Sequence, residues 1–192
     1  MQPRNPRRAA DEQDARRVDD DAGLSAELAA VVAGARRRAV RDGDRQVDTA
    51  HLLHSLLESD PGVRAVTGDG PQLARLLGYL VQRSIGYGLR WQSSVEGSGT
   101  LTVLPVPRAG DPEAKDAGGW SPLATTAMER ARDRALRLGT GPASGTDLLA
   151  AIVADPLSRA VEVLTRAGVC PTELRERLDR PSGEYADGAV TC

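Results

Sequence analysis

The residues that could do chemistry are few, and their spacing fits no catalytic arrangement. The two histidines, His51 and His54, stand three positions apart near the start of a predicted helix. A metal site would need further cysteine, histidine or carboxylate ligands, so hydrogen bonding near the helix start is the favoured interpretation. Neither the segment 97–99 nor the region of Ser144 fits the nucleophile-elbow pattern of a serine hydrolase. We therefore predict no enzyme activity, no cofactor and no metal.

The glycine-rich segment 139–145 is the nearest candidate for phosphate binding. A dinucleotide-binding loop follows a strand, whereas this segment contains Pro142 and joins two predicted helices, which favours a plain connector. A nucleotide-binding P-loop needs a lysine directly before a serine or threonine. The single lysine, Lys115, precedes an aspartate. We therefore expect no ATPase activity.

Arginines cluster in two predicted helices, at 36–41 and at 130–137. Two such basic faces could bind nucleic acid, and a nucleic-acid-binding regulator is the alternative function that the sequence leaves open. Acidic neighbours dilute both clusters, and the formal net charge of the chain is −2. A solvated helix face is therefore favoured over a nucleic-acid surface.

The elements that would position these residues occur twice. Residues 24–57 align without a gap with residues 120–153, at a constant offset of 96. Nine aligned pairs are identical, and their first-copy members are Ser25, Ala35, Arg36, Arg38, Ala39, Arg41, Gly43, Leu52 and Leu53. Two helical repeats are too few for an open solenoid. We therefore expect a closed, pseudo-twofold globule in which the leucine-rich helices of the two copies pack together.

Local signals place four helices in each copy. Serine and aspartate are good N-caps, glycine ends helices, and proline suits a first turn or follows a helix end. The signals are Ser25, Gly43, Asp48, Asp60-Pro61-Gly62 and Pro71 in copy one, and Ser121-Pro122, Gly139, Ser144, Asp155-Pro156 and Pro171 in copy two. They predict a mostly helical chain.

The region between the copies differs. Residues 89–95 and 100–106 alternate in polarity around the glycine-rich segment 96–99, which predicts a β-hairpin. Such a hairpin could accept an extended peptide at its edge or fold over the groove between the copies, and the sequence leaves both open. Trp91 on the hairpin is a candidate binding contact.

The duplicated order of elements resembles the N-terminal domain of the Clp ATPases, which is the double Clp repeat of ClpC- and ClpB-type unfoldases. The resemblance is carried by residues 49–57 in copy one and by residues 145–152 and 159–169 in copy two. It implies an all-α, pseudo-twofold fold of duplicated four-helix Clp repeats, here with the β-hairpin inserted between them. It also implies a domain that recruits substrates and adaptors to an ATP-driven ring feeding a peptidase. Lacking a P-loop, this chain would be a stand-alone adaptor or decoy.

The resemblance also implies a ligand site. In ClpC-type members an acidic residue of the capped helix takes part in binding phosphorylated arginine, but Ala50 stands there in copy one and Thr146, beside Asp147, in copy two. A guanidinium clamp without a carboxylate loses charge-assisted pairing, so we expect no phosphoarginine recognition. The candidate ligand-binding residues are Leu24, Thr49, Ala50, His51, Trp91, Trp120, Thr146 and Asp147. The implied partners are a Clp-type unfoldase, its substrates or adaptors, or peptide-like small molecules.

The predicted segments are a disordered arm (1–22), a first repeat (23–81), a hairpin and linker (82–119), a second repeat (120–180) and a frayed tail (181–192). No segment reaches about 18 consecutive apolar residues, so we expect no membrane partner. The arm has no apolar core of a secretory signal, and the two cysteines form no CxxC pair. We therefore expect a cytoplasmic location.

Overall fold

The computed structural model describes residues 22–68, 70–84, 96–97 and 119–180, which form eight helices and one short strand pair. The elements in chain order are α1 (Ala26–Asp42), β1 (Gln46–Val47), α2 (Thr49–Ser59), α3 (Pro61–Thr67), α4 (Gly70–Ser84), β2 (Gly119–Trp120), α5 (Pro122–Leu138), α6 (Gly145–Val153), α7 (Arg159–Arg166) and α8 (Pro171–Asp179). The fold is mostly helical, as the sequence predicts. We refer to α1–α4 as the first helix set and to α5–α8 as the second.

Helices α1 and α5 begin and end by the same chemistry. The side chains of Ser25 and Ser121 each accept a hydrogen bond, at 3.1 Å, from the backbone N–H three residues further on. Gly43 and Gly139 end the helices with φ of 73° and 65°, in the left-handed region that favours glycine. The predicted caps and stops are confirmed, and α5 begins and ends 96 residues after α1.

The short helices α2 and α6 form the centre of the fold. Residues 49–57 are all buried, as are residues 147–153, and a helix covered on all sides belongs inside a protein. Leu52 and Leu53 of α2 and Leu148 and Leu149 of α6 are 0% exposed, and all four belong to one hydrophobic core. That core draws on both helix sets, so within the described residues the two sets are not separate globules.

Two crossed strand contacts join the helix sets. Val47 pairs with Trp120 in the parallel β1–β2 ladder, and Leu24 pairs with Ala143 in a parallel bridge. The Ser25 N–H donates to the Ala143 carbonyl, and the Ser121 N–H donates to the Val47 carbonyl, each at 2.9 Å. The segment that enters α1 therefore lies beside the segment that enters α6, and the segment that enters α5 lies beside the one that enters α2. These strands are not predictable from the sequence, because two residues are too few to show alternation.

Some expectations fall outside the described residues. Val81 ends the apolar run of α4 and is 48% exposed, because it follows the buried Leu80 by one position and a helix turns about 100° per residue. The predicted arm, the tail, Trp91 and both hairpin strands lie outside the described residues. Of the predicted hairpin turn, Glu96 and Gly97 are described as a turn, and Gly97 has a φ of 86°. No helix in the described ranges combines the length and apolarity needed to cross a bilayer.

His54 is a buried titratable group on α2. Arg38 Nη1 lies 3.3 Å from its Nδ1, and Glu58 Oε1 lies 3.3 Å from its Nε2. A guanidinium can only donate, so Nδ1 accepts and the ring proton sits on Nε2. Burial, with the charge of Arg38, lowers the pKa of His54 to about 4.

The lowered pKa makes stability depend on pH. Between pH 6.5 and about 4, His54 binds a proton in the unfolded state but not in the folded state. The free energy of unfolding therefore falls as the pH falls through this window. We expect His54 to lower the free energy of unfolding by about 2 kcal/mol between pH 7 and pH 4.5. Urea unfolding of the wild type and of His54→Leu, each at pH 7 and pH 4.5, measures it. The variant should lose less stability on acidification, and an equal loss in both proteins would contradict the assignment.

Candidate functional site

The structure sorts the predicted site residues into two groups. In the first group, Thr49, Ala50 and His51 form the start of α2, and the β1–β2 ladder places Trp120 next to Val47, two residues before that start. This group therefore combines the N-terminus of α2, from the first helix set, with β2, which leads into the second helix set. The second group has the same composition with the helix sets exchanged.

The second group lies at the start of α6. Leu24 pairs with Ala143, directly before Ser144, which caps α6. Thr146 and Asp147 belong to the first turn of that helix, and Asp147 is the N3 residue of a capping box with Ser144. Leu24 and Thr146 are half-buried, and Asp147 is 5% exposed.

The start of α2 is held by buried polar contacts. Asp48, 1% exposed, caps the helix by accepting from the His51 N–H at 2.9 Å. The Asp48 N–H donates to His51 Nδ1 at 3.2 Å, and the other ring nitrogen lies 3.1 Å from Asp44 Oδ2. His51 therefore takes the place of the glutamate in an ordinary capping box. The predicted hydrogen-bonding role of His51 near the helix start is confirmed.

Glu96 lies between the helix sets and was not among the predicted site residues. Its side chain is 4% exposed, and its carboxylate accepts four hydrogen bonds. Oε2 accepts from the Thr49 N–H at 3.0 Å and from Ser121 Oγ at 2.6 Å. Oε1 accepts from the Arg159 N–H at 2.8 Å and from the Thr49 hydroxyl. We call the residues Thr49, Ser121 and Arg159 the Glu96 seat.

An ion pair adjoins the Glu96 seat. The Arg159 side chain donates from Nη1 to Asp48 Oδ2 at 2.7 Å, and the two side chains are 12% and 1% exposed. The same arginine thus binds the cap of α2 with its guanidinium and Glu96 with its backbone. The start of α7 is thereby fixed to the start of α2.

A second feature is an open pocket beside Trp120, of about 140 Å³. Its lining residues are Trp120, Thr125, Met128, Glu129 and Arg132, and we call it the Trp120 pocket. The guanidinium carbon of Arg36, from α1, lies 5.2 Å from the centre of the Trp120 ring. An aromatic ring with polar groups around it suits an apolar side chain carried by a polar backbone.

The described residues contain no group of three or more His, Cys, Asp or Glu side chains able to hold a metal ion. Cys170, which precedes α8, is a free and exposed thiol. Among the described residues, the Glu96 seat and the Trp120 pocket are two candidate binding features.

Comparisons with known proteins bear on the fold. No family model matches the chain, and no curated protein matches it. A solved structure described as a preliminary structural investigation of a malarial protein secretion system is similar, with a TM-score of 0.54 and 15% sequence identity. The match covers 81% of this chain and 91% of that chain. At this identity the likeness shows a shared fold.

Proposed function

We propose that the chain is a binding module like the N-terminal domain of the Clp ATPases, built from two Clp repeats and acting as an adaptor or decoy in a Clp chaperone–protease system. The observation that carries the proposal is the crossed pairing of Leu24 with Ala143 and of Val47 with Trp120. Trp120 stands 96 residues after Leu24, and Ala143 stands 96 residues after Val47. The two contacts are therefore the same contact made twice, which a duplicated unit packed about a twofold axis requires.

The helix boundaries support the duplication. Helices α1 and α5, and the starts of α2 and α6, are related by the offset of 96. The later helices depart from this offset, since α7 begins 98 residues after α3 and α8 begins 101 residues after α4. The gapless sequence alignment also ends before those helices, at residue 153. Divergence in the outer helices with agreement in the central ones is what an old duplication around a shared core produces.

The Trp120 pocket is the proposed ligand site. It is open and lined by residues of β2 and α5, and Arg36 from the first helix set lies over the Trp120 ring. Its occupant would be an apolar side chain of a client polypeptide, an adaptor or a peptide-like small molecule. Recognition of this kind needs no catalytic group and is compatible with a cytoplasmic Clp system.

Three of the clustered arginines favour this proposal over nucleic-acid binding. Arg38 forms an ion pair with Glu58, and Arg134, 96 residues later, lies 2.6 Å from Asp179 and 3.3 Å from Asp147. Arg132 donates to a backbone carbonyl at 3.0 Å. Side chains committed to internal partners are poor ligands for phosphates, which need exposed cations.

Affinity capture tests the proposal. The tagged protein is incubated with an extract of its native cells, beside the variants Trp120→Ala and Glu129→Lys, and bound proteins are quantified. We expect a Clp unfoldase or its clients to be enriched by the wild type and reduced with both variants. Glu129 is exposed, so its replacement alters the pocket without disturbing the core. Enrichment of no Clp component, or equal enrichment by all three proteins of matched thermal stability, would contradict the proposal.

Phosphoarginine should not stabilise the protein. Ala50 is 0% exposed and offers no carboxylate to a guanidinium, and a ligand raises the melting temperature only if it binds the native state. Thermal unfolding with millimolar phosphoarginine is expected to match unfolding with free arginine as the control. A saturable rise specific to the phosphorylated form would contradict this prediction and show a phosphoarginine site in the protein.

A further inference from the structure

We propose that the Glu96 seat is a carboxylate-binding site and that Glu96 is its internal ligand, which excludes free carboxylates from the junction between the helix sets. The inference goes beyond the proposed function and does not depend on it. It rests on the donors around the carboxylate, on what orients them, and on a second carboxylate at the related position.

All four partners of the carboxylate are donors, and they come from three helix starts. Thr49 is the first residue of α2, Arg159 is the first residue of α7, and Ser121 caps α5. Helix N-termini carry partial positive charge and free N–H groups, so their convergence favours an anion. Glu96 is 4% exposed there, and among the described contacts no side-chain cation bonds to its carboxylate, so the donors alone offset the loss of water.

The hydroxyls of Thr49 and Ser121 are oriented by backbone N–H groups of the neighbouring helices and not by Glu96. The Ala160 N–H donates to Thr49 Oγ1 at 3.1 Å, and the Ala124 N–H donates to Ser121 Oγ at 3.1 Å. Each hydroxyl has one proton, and since each already accepts from an N–H, that proton is available for Glu96. The donors are therefore held by α5 and α7 whether or not Glu96 is present. A seat arranged in this way should bind a carboxylate that is not attached at position 96.

A carboxylate also lies at the related position of the second helix set. Gly145, 96 residues after Thr49, is the first residue of α6. Asp60 Oδ2 lies so close to it that a Cβ at position 145 would overlap that oxygen, while Asp60 Oδ1 accepts from the Val63 N–H at 3.1 Å. Both central helices thus have a carboxylate of the chain against their first residue. The placement of a carboxylate at this point is therefore repeated in the molecule, although the donor to Asp60 is the N–H of Val63 on its own helix.

The test removes the internal ligand and supplies a free one. Glu96→Ala leaves a space that acetate fills, because acetate with the alanine methyl group replaces the atoms of the glutamate side chain. Acetate is titrated at constant ionic strength into the variant and the wild type, and the amide resonances of Thr49 and Arg159 are followed by NMR. We expect saturable shifts in the variant with a dissociation constant on the order of 1–10 mM, as suits a ligand of four heavy atoms. The wild type should show no such shifts.

The controls separate a carboxylate site from a simple cavity. Acetamide, which has the same shape without the charge, should bind Glu96→Ala at least about tenfold more weakly. Glu96→Gln, which keeps the space filled, should not respond to acetate. If Glu96→Ala is unfolded in plain buffer, the same titration is followed as recovery of helical circular dichroism. Absence of saturable binding, equal binding of acetamide, or equal shifts in the wild type would each overturn the proposal.

Discussion

Replacing Leu53 or Leu149 by alanine should each lower the free energy of unfolding by about 3 kcal/mol. Both side chains are 0% exposed in the shared core, one on α2 and the other 96 residues later on α6. The loss combines the transfer free energy of the deleted methyl groups with the cavity left behind. Because the core draws on both helix sets, either change should weaken the whole fold, and unfolding should remain a single transition.

Chemical denaturation followed by circular dichroism and by tryptophan fluorescence measures these losses. Leu136→Ala is the matched control, since Leu136 lies on α5 and is 76% exposed, and we expect it to change stability by less than about 0.5 kcal/mol. Two separate transitions, or a variant that unfolds one helix set and spares the other, would show that the sets are independent domains.

Replacing Asp48 by alanine should cost about 3 kcal/mol. The carboxylate is 1% exposed, caps α2 through the His51 N–H at 2.9 Å, and pairs with Arg159 at 2.7 Å. Loss of a cap alone costs about 1 kcal/mol. Removal of one partner from a buried pair leaves the other charge uncompensated, which adds a larger penalty.

Ser144 provides the control that separates the two terms. It caps α6 at the position 96 residues after Asp48, accepts from the Asp147 N–H at 3.4 Å, and forms no ion pair. Ser144→Ala should therefore cost only about 1 kcal/mol. A double-mutant cycle of Asp48→Ala with Arg159→Ala should give a coupling free energy of at least about 1 kcal/mol. Equal costs at positions 48 and 144, with no coupling to Arg159, would mean that the ion pair contributes nothing.

The sequence predicts the helices well because their signals are local. A capping serine or a terminating glycine acts within one turn of its helix end, so its role can be predicted without knowing the fold. This holds for Ser25, Gly43, Ser121 and Gly139. Apolar residues at helical spacing can be identified in the same way, and five of them in α1 are all buried, namely Leu28, Val31, Val32, Ala35 and Ala39. Local signals are weaker in α4, where Val81 is 48% exposed although it adjoins the buried Leu80 in an apolar run.

The site was harder to predict, because its contacts join distant residues. Glu96 stands in a glycine-rich segment that reads as a turn, and nothing near it in the chain indicates that it reaches Thr49, Ser121 and Arg159. A charged residue is expected outside unless it is paired, and only the tertiary structure supplies the donors. The sequence contains one signal of such a contact, at the position 96 residues after Thr49. Position 145, related to Thr49, is a glycine, and a glycine inside a helix start often means that another group approaches closely.

The binding role is tested most directly by degradation in a reconstituted Clp unfoldase–peptidase system. The rate of degradation of an unfolded substrate is measured at increasing concentrations of this chain, with Trp120→Ala in parallel. We predict a saturable change in the rate, upward for an adaptor or downward for a decoy, that is lost in the variant. An unchanged rate at saturating excess of the folded wild-type protein would contradict the proposed function.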